Sequence, residues 1–331
     1  MPTAAAPAPV RLLDAEHVAE LTTIATELLD IHGLATSPAL LADLPRVRTR
    51  LSAGLHRVLR PVDTADGLFV LRGLTVEDAD LGATPGHWST VGDAGARWDV
   101  VLLLVSTLMG TPIAWDGQQD GRFVHNIVPS PGHETVQTGA SSSVLLTPHT
   151  EDAFHPGRAH LLLLCCMRNH DAVATTAASI RLARLSAQDR AHLARPVAPI
   201  LPDDAYEQAQ RFGGRPEPVP TLFEADGGPT LRYDPAYTPL DAADDAWREA
   251  YGRLGEELAR VSVAVSLRPG DVLVVDNDLV VHGRVPFAAR YDGTDRWLKR
   301  ASVRVPGRRT RPEAERSEHG YGQAALEAWA L

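Results

Sequence analysis

Two histidines and one glutamate carry the strongest chemical signal in this chain of 331 residues. His149 and Glu151 are separated by one residue, and His282 follows far downstream. Residues i and i+2 of an extended strand point to the same side, so His149 and Glu151 can bind one ion together. Two imidazoles and a carboxylate can hold Fe(II) on one face and leave its other positions open. We therefore predict a metal site in which a distant strand supplies His282.

Arg296 and Arg300 form a second candidate group, because they lie four residues apart in a predicted strand and therefore on one face of it. A guanidinium binds a carboxylate through two parallel, charge-assisted hydrogen bonds, which lysine cannot imitate. The pair predicts a site for small acidic molecules. The alternative interpretation is a pair of surface arginines that alternate with core residues.

Composition narrows the possible partners and the compartment. The chain has 32 Lys and Arg against 42 Asp and Glu, and no stretch forms a basic groove, so nucleic acid is not an expected partner. Apolar runs such as 100–105 and 161–167 are too short to span a membrane, and the N-terminus lacks the features of a signal peptide. The only cysteines, Cys165 and Cys166, lie in an apolar run, which is typical of buried thiols in a reducing compartment. We expect a cytoplasmic protein, and its oligomeric state stays open.

The texture of the chain predicts one domain over residues 1–331, with a disordered tail over 1–10 and a mostly helical part over 11–110. Within 111–305, short β-rich runs alternate with Gly, Pro and Asn turns, which favours an all-β sandwich or barrel core flanked by helices. The polar, Gly- and Pro-rich segment 203–229 predicts a mobile lid or insertion.

Polar residues near the candidate site also admit structural interpretations. His155 is expected to be structural, because three ligands complete the site without it. Asp276 and Asn277 precede His282 and are expected to form a turn that aims it. The charged segment 306–318 is expected to be a solvated loop.

Three stretches carry a resemblance to a known family: HTEDAFHPGRAHLLLLCCMRN, GDVLVVDN followed by VHGRVPF, and DGTDRWLKR. They resemble the clavaminate-synthase-like group of Fe(II)/2-oxoglutarate-dependent oxygenases, and within it the arginine β-hydroxylases of peptide-antibiotic pathways. The similarity runs from about Gln118 to Arg304, and glutamate as the carboxylate ligand is a mark of this subgroup. It implies a mainly β fold with flanking helices around a double-stranded β-helix (jelly-roll, cupin-like) core.

The resemblance also implies roles for single residues. His149, Glu151 and His282 match the iron ligands, and Arg296 matches the arginine that binds the far carboxylate of 2-oxoglutarate. The residues that match substrate contacts are Arg300 for the α-carboxylate, Gln118 for the α-amino group, Asp203 as a lid acid, and Asp234 as one of two acids that hold a guanidinium. The second of those acids would fall at position 236, where this chain has Ala236, and this difference argues against arginine itself.

These observations predict hydroxylation of an unactivated C–H bond of a free L-amino acid whose side chain is polar and nitrogen-bearing, like that of citrulline, arginine or lysine. The resemblance implies Fe(II) as cofactor and 2-oxoglutarate and O₂ as cosubstrates. One alternative is a desaturase or cyclase of the same family. Others are a Zn²⁺-dependent metallohydrolase with the same ligands, against which Arg296 argues, and a non-catalytic cupin-like binding protein. The attacked carbon, the stereochemistry and a free or carrier-bound substrate stay open.

Overall fold

A computed structural model describes residues 7–206, 212–225 and 227–330. The helices are α1 (Ala15–His32), α2 (Pro38–Arg50), α3 (Ala53–Val58), α4 (Ala96–Met109), α5 (Ala187–Leu193) and α6 (Asp245–Val261). The strands are β1 (Val10–Leu12), β2 (Leu68–Arg72), β3 (Thr111–Trp115), β4 (Val124–Ile127), β5 (Leu146–His149), β6 (Leu161–Arg168), β7 (Thr175–Ser179), β8 (Leu222–Ala225), β9 (Gly228–Leu231), β10 (Val263–Val265), β11 (Val272–Asp276), β12 (Val280–Arg284), β13 (Trp297–Arg304) and β14 (Ala325–Glu327).

Two sheets form the body of the protein. The larger has the order β1-β2-β11-β6-β13-β3-β14, with β4 also paired to β13, and the smaller has the order β10-β7-β12-β5. Pairing is antiparallel except between β1 and β2. The predicted mainly β fold with flanking helices is confirmed.

Strand β6 shows how the sequence builds the layers, because every residue of its run LLLLCCMR is buried. Successive side chains of a strand point to opposite faces. Leu161 and Leu163 therefore pack with the N-terminal helices, and Leu162 and Leu164 pack with the smaller sheet and α6. The larger sheet is thus covered on both faces, and the space between the two sheets is where side chains of both can meet.

The helical layer follows its sequence signals. The side chain of Asp14 accepts a hydrogen bond from the backbone N–H of His17 and caps α1, which ends at Gly33 in a left-handed conformation with φ 78°. Helix α4 is buried along most of its length, because it lies between α1, α2 and the larger sheet. Within the described residues, no helix is both long and apolar enough to cross a membrane.

Two predicted boundaries need correction. Residues 1–6 of the predicted disordered tail lie outside the described residues, but Val10 pairs with Val70 in the sheet, so disorder does not extend to residue 10. The larger sheet also takes β2 and β14 from outside 111–305, because both supply neighbours to strands of the core. The core therefore draws on nearly the whole described chain.

The predicted lid or insertion is only partly irregular. Within 203–229, residues 207–211 and 226 lie outside the described residues. Strand β8, near the end of this segment, pairs with β9, and its residue Leu222 is buried. That end of the segment therefore belongs to a packed hairpin, and the lid prediction is restricted to the part that begins at Asp203.

Candidate metal centre and its cavity

The three predicted metal ligands converge between β5 and β12. His149 ends β5 and is the direct partner of His282 in the antiparallel pairing of the two strands. Glu151 lies in the turn that follows β5, so the prediction that one strand carries both His149 and Glu151 is wrong for Glu151. Its Oε2 is 3.8 Å from Nε2 of His149 and 3.3 Å from Nε2 of His282. One ligand atom from each residue lies within 4.8 Å of the others, so the three side chains can share one ion.

Neighbouring groups fix the orientation of two of these ligands. Nδ1 of His149 lies 2.8 Å from the carbonyl oxygen of Thr147, which leaves Nε2 for the site. The side chain of Asn277 accepts from the backbone N–H of Glu151 at 2.8 Å and donates to its carbonyl at 3.0 Å. Asn277 therefore positions Glu151, whereas the sequence had suggested that it aims His282.

The donor set fits an Fe(II) ion. Oε2 of Glu151 is buried and has no hydrogen-bond partner among the described residues. A buried carboxylate oxygen without a partner is unfavourable, and a cation held jointly with the Nε2 atoms of His149 and His282 would satisfy it. Two imidazole nitrogens and one carboxylate oxygen with open remaining positions suit non-haem iron.

Arg300 joins the metal centre to the predicted substrate contacts. One terminal nitrogen of its guanidinium contacts Oε1 of Glu151. The other donates to Oε1 of Gln118 at 2.9 Å and lies 2.8 Å from Nδ1 of His125. Burial, followed by the charge of Arg300, lowers the pKa of His125 to about 3, so its neutral ring can accept this bond. The structure thus brings together Arg300 and Gln118, the residues predicted to contact the carboxylate and the amino group of the substrate.

His125 was missed by the sequence reasoning. It lies on β4 directly across from Arg300 on β13. A histidine in a short β-rich run gives no signal of such a contact, because the contact depends on the pairing of two distant strands. Only the register of the sheet reveals it.

Arg296 lies immediately before β13 and lines the same cavity as Arg300. Its Nη2 donates to Oγ1 of Thr175 at 2.9 Å, and its buried Nε has no partner among the described residues. Burial lowers the pKa of Arg296 to about 10, which leaves the group charged at neutral pH. Thr175 is a second residue that the sequence reasoning missed. Because Arg296 is charged and its Nε has no partner among the described residues, it can bind an anion in the cavity.

One cavity contains the metal centre and both arginines. Its lining includes the three ligands, Arg296 and Arg300, and also Leu164, Thr175 and Arg284. A larger adjoining cavity contains Gln118, Asp116, Asp120 and Asp204, and the two share Arg300 and Asp203. Arg300 thus lies where a molecule that enters from the outer cavity would reach the metal centre.

The two predicted acids differ in placement. Asp203 lines both cavities, and burial, followed by the charge of Glu151, raises its pKa to about 7. Asp234 is buried, and its Oδ1 accepts from the backbone N–H of Ala236 at 3.1 Å. It does not line the cavity of the metal centre, although its charge is felt at His149. The structure therefore brings Asp203 into the site and leaves Asp234 beside it.

His155 is structural, as expected. Its Nδ1 accepts from the backbone N–H of Gly157 at 2.8 Å, and its Nε2 lies 3.1 Å from the carbonyl oxygen of Gln323. With both ring nitrogens engaged, the side chain has no atom to offer to a metal.

This architecture and site agree with the comparisons to known proteins. Residues 65–302 match the family described as taurine catabolism dioxygenase TauD, TfdA family, and the chain belongs to this family. It is a non-haem iron dioxygenase that depends on Fe(II) and 2-oxoglutarate, and its core is a jelly roll. The predicted family, fold class, cofactors and enzyme class are confirmed, and neither a zinc hydrolase nor a non-catalytic binding protein retains support.

Among individual proteins, the chain is 35% identical over 325 residues to enduracididine β-hydroxylase of Streptomyces hygroscopicus, which covers 90% of this chain and 95% of that protein. It is 32% identical to the L-ornithine/L-arginine 3-hydroxylase of Catenulispora acidiphila, over 71% of this chain and 76% of that protein. It is also similar to the solved non-haem iron oxygenase OrfP in complex with Fe, succinate and (3R,4R)-dihydroxy-L-Arg. That similarity has 38% identity and a TM-score of 0.81, and covers 89% of this chain and 94% of OrfP.

Proposed function

We propose that this enzyme hydroxylates an unactivated C–H bond of a free L-amino acid whose side chain is polar and nitrogen-bearing, as a step of natural-product biosynthesis. The observation that carries the proposal is the contact of Arg300 with both Gln118 and Glu151 at the junction of the two cavities. An arginine beside an amide suits the carboxylate and amino groups that all free amino acids share. Relatives named for enduracididine, ornithine, arginine, lysine and asparagine support the choice of side chain.

The division of labour among the residues is part of this proposal. His149, Glu151 and His282 hold the iron, and Arg296 with Thr175 holds the far carboxylate of 2-oxoglutarate. Bound iron, with 2-oxoglutarate and O₂, supplies the oxidant that the unactivated C–H bond requires. The protein supplies position, because the carbon nearest to that oxidant is the one that reacts.

Substrate recognition is coupled to the metal centre through Arg300. In the present arrangement its guanidinium is shared between Oε1 of Glu151 and the acceptors Gln118 and His125. A substrate carboxylate would compete for the same donors, and so its arrival changes the charge that Glu151 experiences. Occupancy of the amino-acid site would therefore change the surroundings of the carboxylate that would hold the iron.

Asp203 is proposed to act as a lid acid. It lines both cavities and lies at the start of the segment that continues to Tyr206, whose hydroxyl donates to the carboxylate of Asp152 next to Glu151. The carboxylate of Asp203 lies where it can contact the amino group or a nitrogen-bearing side chain of a bound substrate. We propose that closure of this segment over the substrate excludes water from the cavity.

A cytoplasmic location is also proposed. Cys165 and Cys166 are both buried and free, and burial raises the pKa of the Cys166 thiol to about 12. Adjacent thiols kept reduced are typical of a reducing compartment.

The test is a substrate screen with the full chain reconstituted with Fe(II) and 2-oxoglutarate. The common amino acids, citrulline and ornithine are compared for substrate-dependent succinate formation and product mass, with His149→Ala as the inactive control. A product heavier by one oxygen atom supports the proposal. Loss of two hydrogen atoms instead identifies the desaturase or cyclase alternative. Succinate formation that no amino acid stimulates contradicts an amino-acid substrate.

A further inference from the structure

A second buried arginine, Arg284, lies at the same end of the active cavity as Arg296. In the pairing of β12 with β7, Arg284 is directly opposite Thr175, whose hydroxyl accepts the hydrogen bond of Arg296. Directly opposed residues of antiparallel strands place their side chains on the same face, about 5 Å apart at Cβ. All three residues line the cavity. Thr175 is therefore the paired neighbour of Arg284 in the sheet and the hydrogen-bond partner of Arg296.

Neither guanidinium has an acidic partner within the described part of the chain. Arg284 donates to neutral acceptors only, which are the carbonyl and hydroxyl oxygens of Ser141 and the carbonyls of Ser142, Val144 and Val285. Arg296 donates to Thr175. The two side chains are nevertheless buried, since Arg284 and Arg296 are only 3% and 9% exposed.

Other buried arginines of this protein form ion pairs with acidic residues. Arg158 contacts Glu315 at 2.9 Å, and Arg232 contacts Glu318 at 2.8 Å. Carbonyl oxygens satisfy the donors of a guanidinium, but they do not neutralise its charge, and an uncompensated buried charge is strongly unfavourable. Because no acid among the described residues supplies this compensation, we assign it to an anionic ligand of the cavity.

We propose that Arg284 is a specificity-determining residue, which adds a second positive charge at this end of the cavity and makes it select a dicarboxylate 2-oxo acid over a monocarboxylate one. The anion bound there is the distal carboxylate of 2-oxoglutarate. Arg296 provides direct hydrogen bonds, and Arg284 acts through its field, because its own donors are occupied. The inference rests on the 2-oxoglutarate dependence of the enzyme and not on the identity of the amino acid.

Arg284 also fastens the segment that contains Ser141 and Val144 onto β12, so a test must separate charge from clamping. Arg284→Lys keeps the charge and loses the fork of hydrogen bonds. Arg284→Met loses both while it keeps an unbranched apolar stem. Arg290→Met is the matched control, because Arg290 is an exposed arginine that pairs with Asp171 at 2.8 Å.

The experiment measures binding, not turnover. Fe(II)-loaded protein is titrated anaerobically by calorimetry, without amino acid, with 2-oxoglutarate and with the monocarboxylate 2-oxopentanoate. We expect Arg284→Met to weaken 2-oxoglutarate binding about tenfold, or about 1.4 kcal/mol, because the attraction of a nearby positive charge is lost. Binding of 2-oxopentanoate, which has no distal carboxylate, should change little. Arg284→Lys should stay close to the wild type, and Arg290→Met should match it.

Equal weakening of both ligands in Arg284→Met, no weakening at all, or equal losses in the Lys and Met variants would overturn the proposal and leave Arg284 a clamp. If Arg284→Met does not fold, Arg296→Met decides. A residual preference for 2-oxoglutarate over 2-oxopentanoate in that variant supports a second charge, and complete loss of the preference assigns all of it to Arg296. Failure of every amino acid in the substrate screen would not alter these binding results.

Discussion

The two oxygens of the Glu151 carboxylate serve different partners. Oε2 faces the two histidines, and Oε1 contacts the guanidinium of Arg300. Burial acts against the charged form, but Arg300 and the histidines outweigh it and hold the pKa of Glu151 well below its usual range. Glu151 therefore stays anionic at neutral pH, as a metal ligand must.

Alanine at any one of His149, Glu151 or His282 should abolish iron binding and turnover while the fold is kept. Each residue supplies one of the three ligands that the described part of the chain offers to an open-sided site. Anaerobic Fe(II) titration, with circular dichroism as the fold check, measures the effect. His155→Ala is the control and should bind iron with normal stoichiometry, because its ring nitrogens are engaged with Gly157 and Gln323. Full activity in one of the three variants would remove that residue from the set.

Variants of Arg296 and Arg300 should affect the binding of different ligands. Arg296→Lys should raise the KM for 2-oxoglutarate far more than that for the amino acid, and Arg300→Lys should do the reverse. Lysine loses the bidentate geometry in both cases, and a hydrogen bond to a charged group contributes about 1.5–3 kcal/mol. Steady-state kinetics with each ligand varied in turn gives the four constants. An increase of the same KM by both variants would show that the assignment is wrong.

Position 236 is expected to influence the choice of side chain. Asp234 supplies one carboxylate near the site, and Ala236 has no carboxylate to supply a second. The charge and the donors of a substrate guanidinium would therefore be poorly matched there. We expect the wild type to favour a citrulline-like or other polar, nitrogen-bearing substrate slightly over arginine, with lysine or ornithine close behind. Ala236→Asp should raise kcat/KM for arginine relative to that substrate, as competition assays would measure. If arginine is already the best substrate of the wild type and the ratio of the kcat/KM values does not change in the variant, then position 236 does not contribute to side-chain selectivity.

At the scale of helices and strands, the sequence predicts features that depend on neighbouring residues, such as the ends of helices. The part over 11–110 is mostly helical as predicted, and local residues set its helix ends: Asp14 caps α1, Gly33 ends it, and Gly110 ends α4. The sequence could not give the register that sets His282 opposite His149, because strand pairing depends on residues far apart in the chain. For the same reason the partners of Arg296 and Arg300 in neighbouring strands were not foreseen.

The turn between β11 and β12 is expected to affect iron affinity, although none of its residues is a metal ligand. Asn277 in this turn holds both backbone groups of Glu151 and the carbonyl of Ala159. Asn277→Ala would leave these buried groups unpaired and free Glu151 to move, so Fe(II) affinity should fall by roughly 10- to 100-fold, as for other supports of metal ligands. Anaerobic Fe(II) titration beside thermal unfolding tests this. A loss of stability with unchanged iron affinity would make Asn277 a purely structural residue.

Over the whole molecule, the C-terminal segment 306–318 differs most from its prediction as a solvated loop. Arg309 contacts Asp276 at 2.8 Å, Arg311 contacts Asp278 at 3.0 Å, and Glu315 is only 3% exposed. A sequence does not show whether the charged side chains of such a segment are solvated or paired with residues far away in the chain. The two acids flank Asn277 in the chain, so this segment braces the metal centre through long-range ion pairs.

Glu315→Gln should therefore destabilise the protein in a pH-dependent way. Burial acts against the charged form of Glu315, but Arg158 and Arg232 outweigh it and lower its pKa. Because the folded pKa lies below the unfolded value of about 4.3, the carboxylate's contribution is complete above that pH and is lost as the pH falls through the folded pKa. We expect a loss of about 3 kcal/mol at pH 7 by urea unfolding, as for removal of one partner of a buried pair.

The difference between Glu315→Gln and the wild type should then shrink as unfolding is repeated at pH values progressively below about 4. Glu313→Gln is the matched control, since Glu313 makes an ion pair with Arg316 in the same segment but is 83% exposed in its side chain. Such exposed pairs contribute about 0–1 kcal/mol, so this variant should stay close to the wild type at every pH. A Glu315→Gln effect that is the same at neutral and acidic pH would mean that shape, and not the charge of the brace, stabilises this end of the molecule.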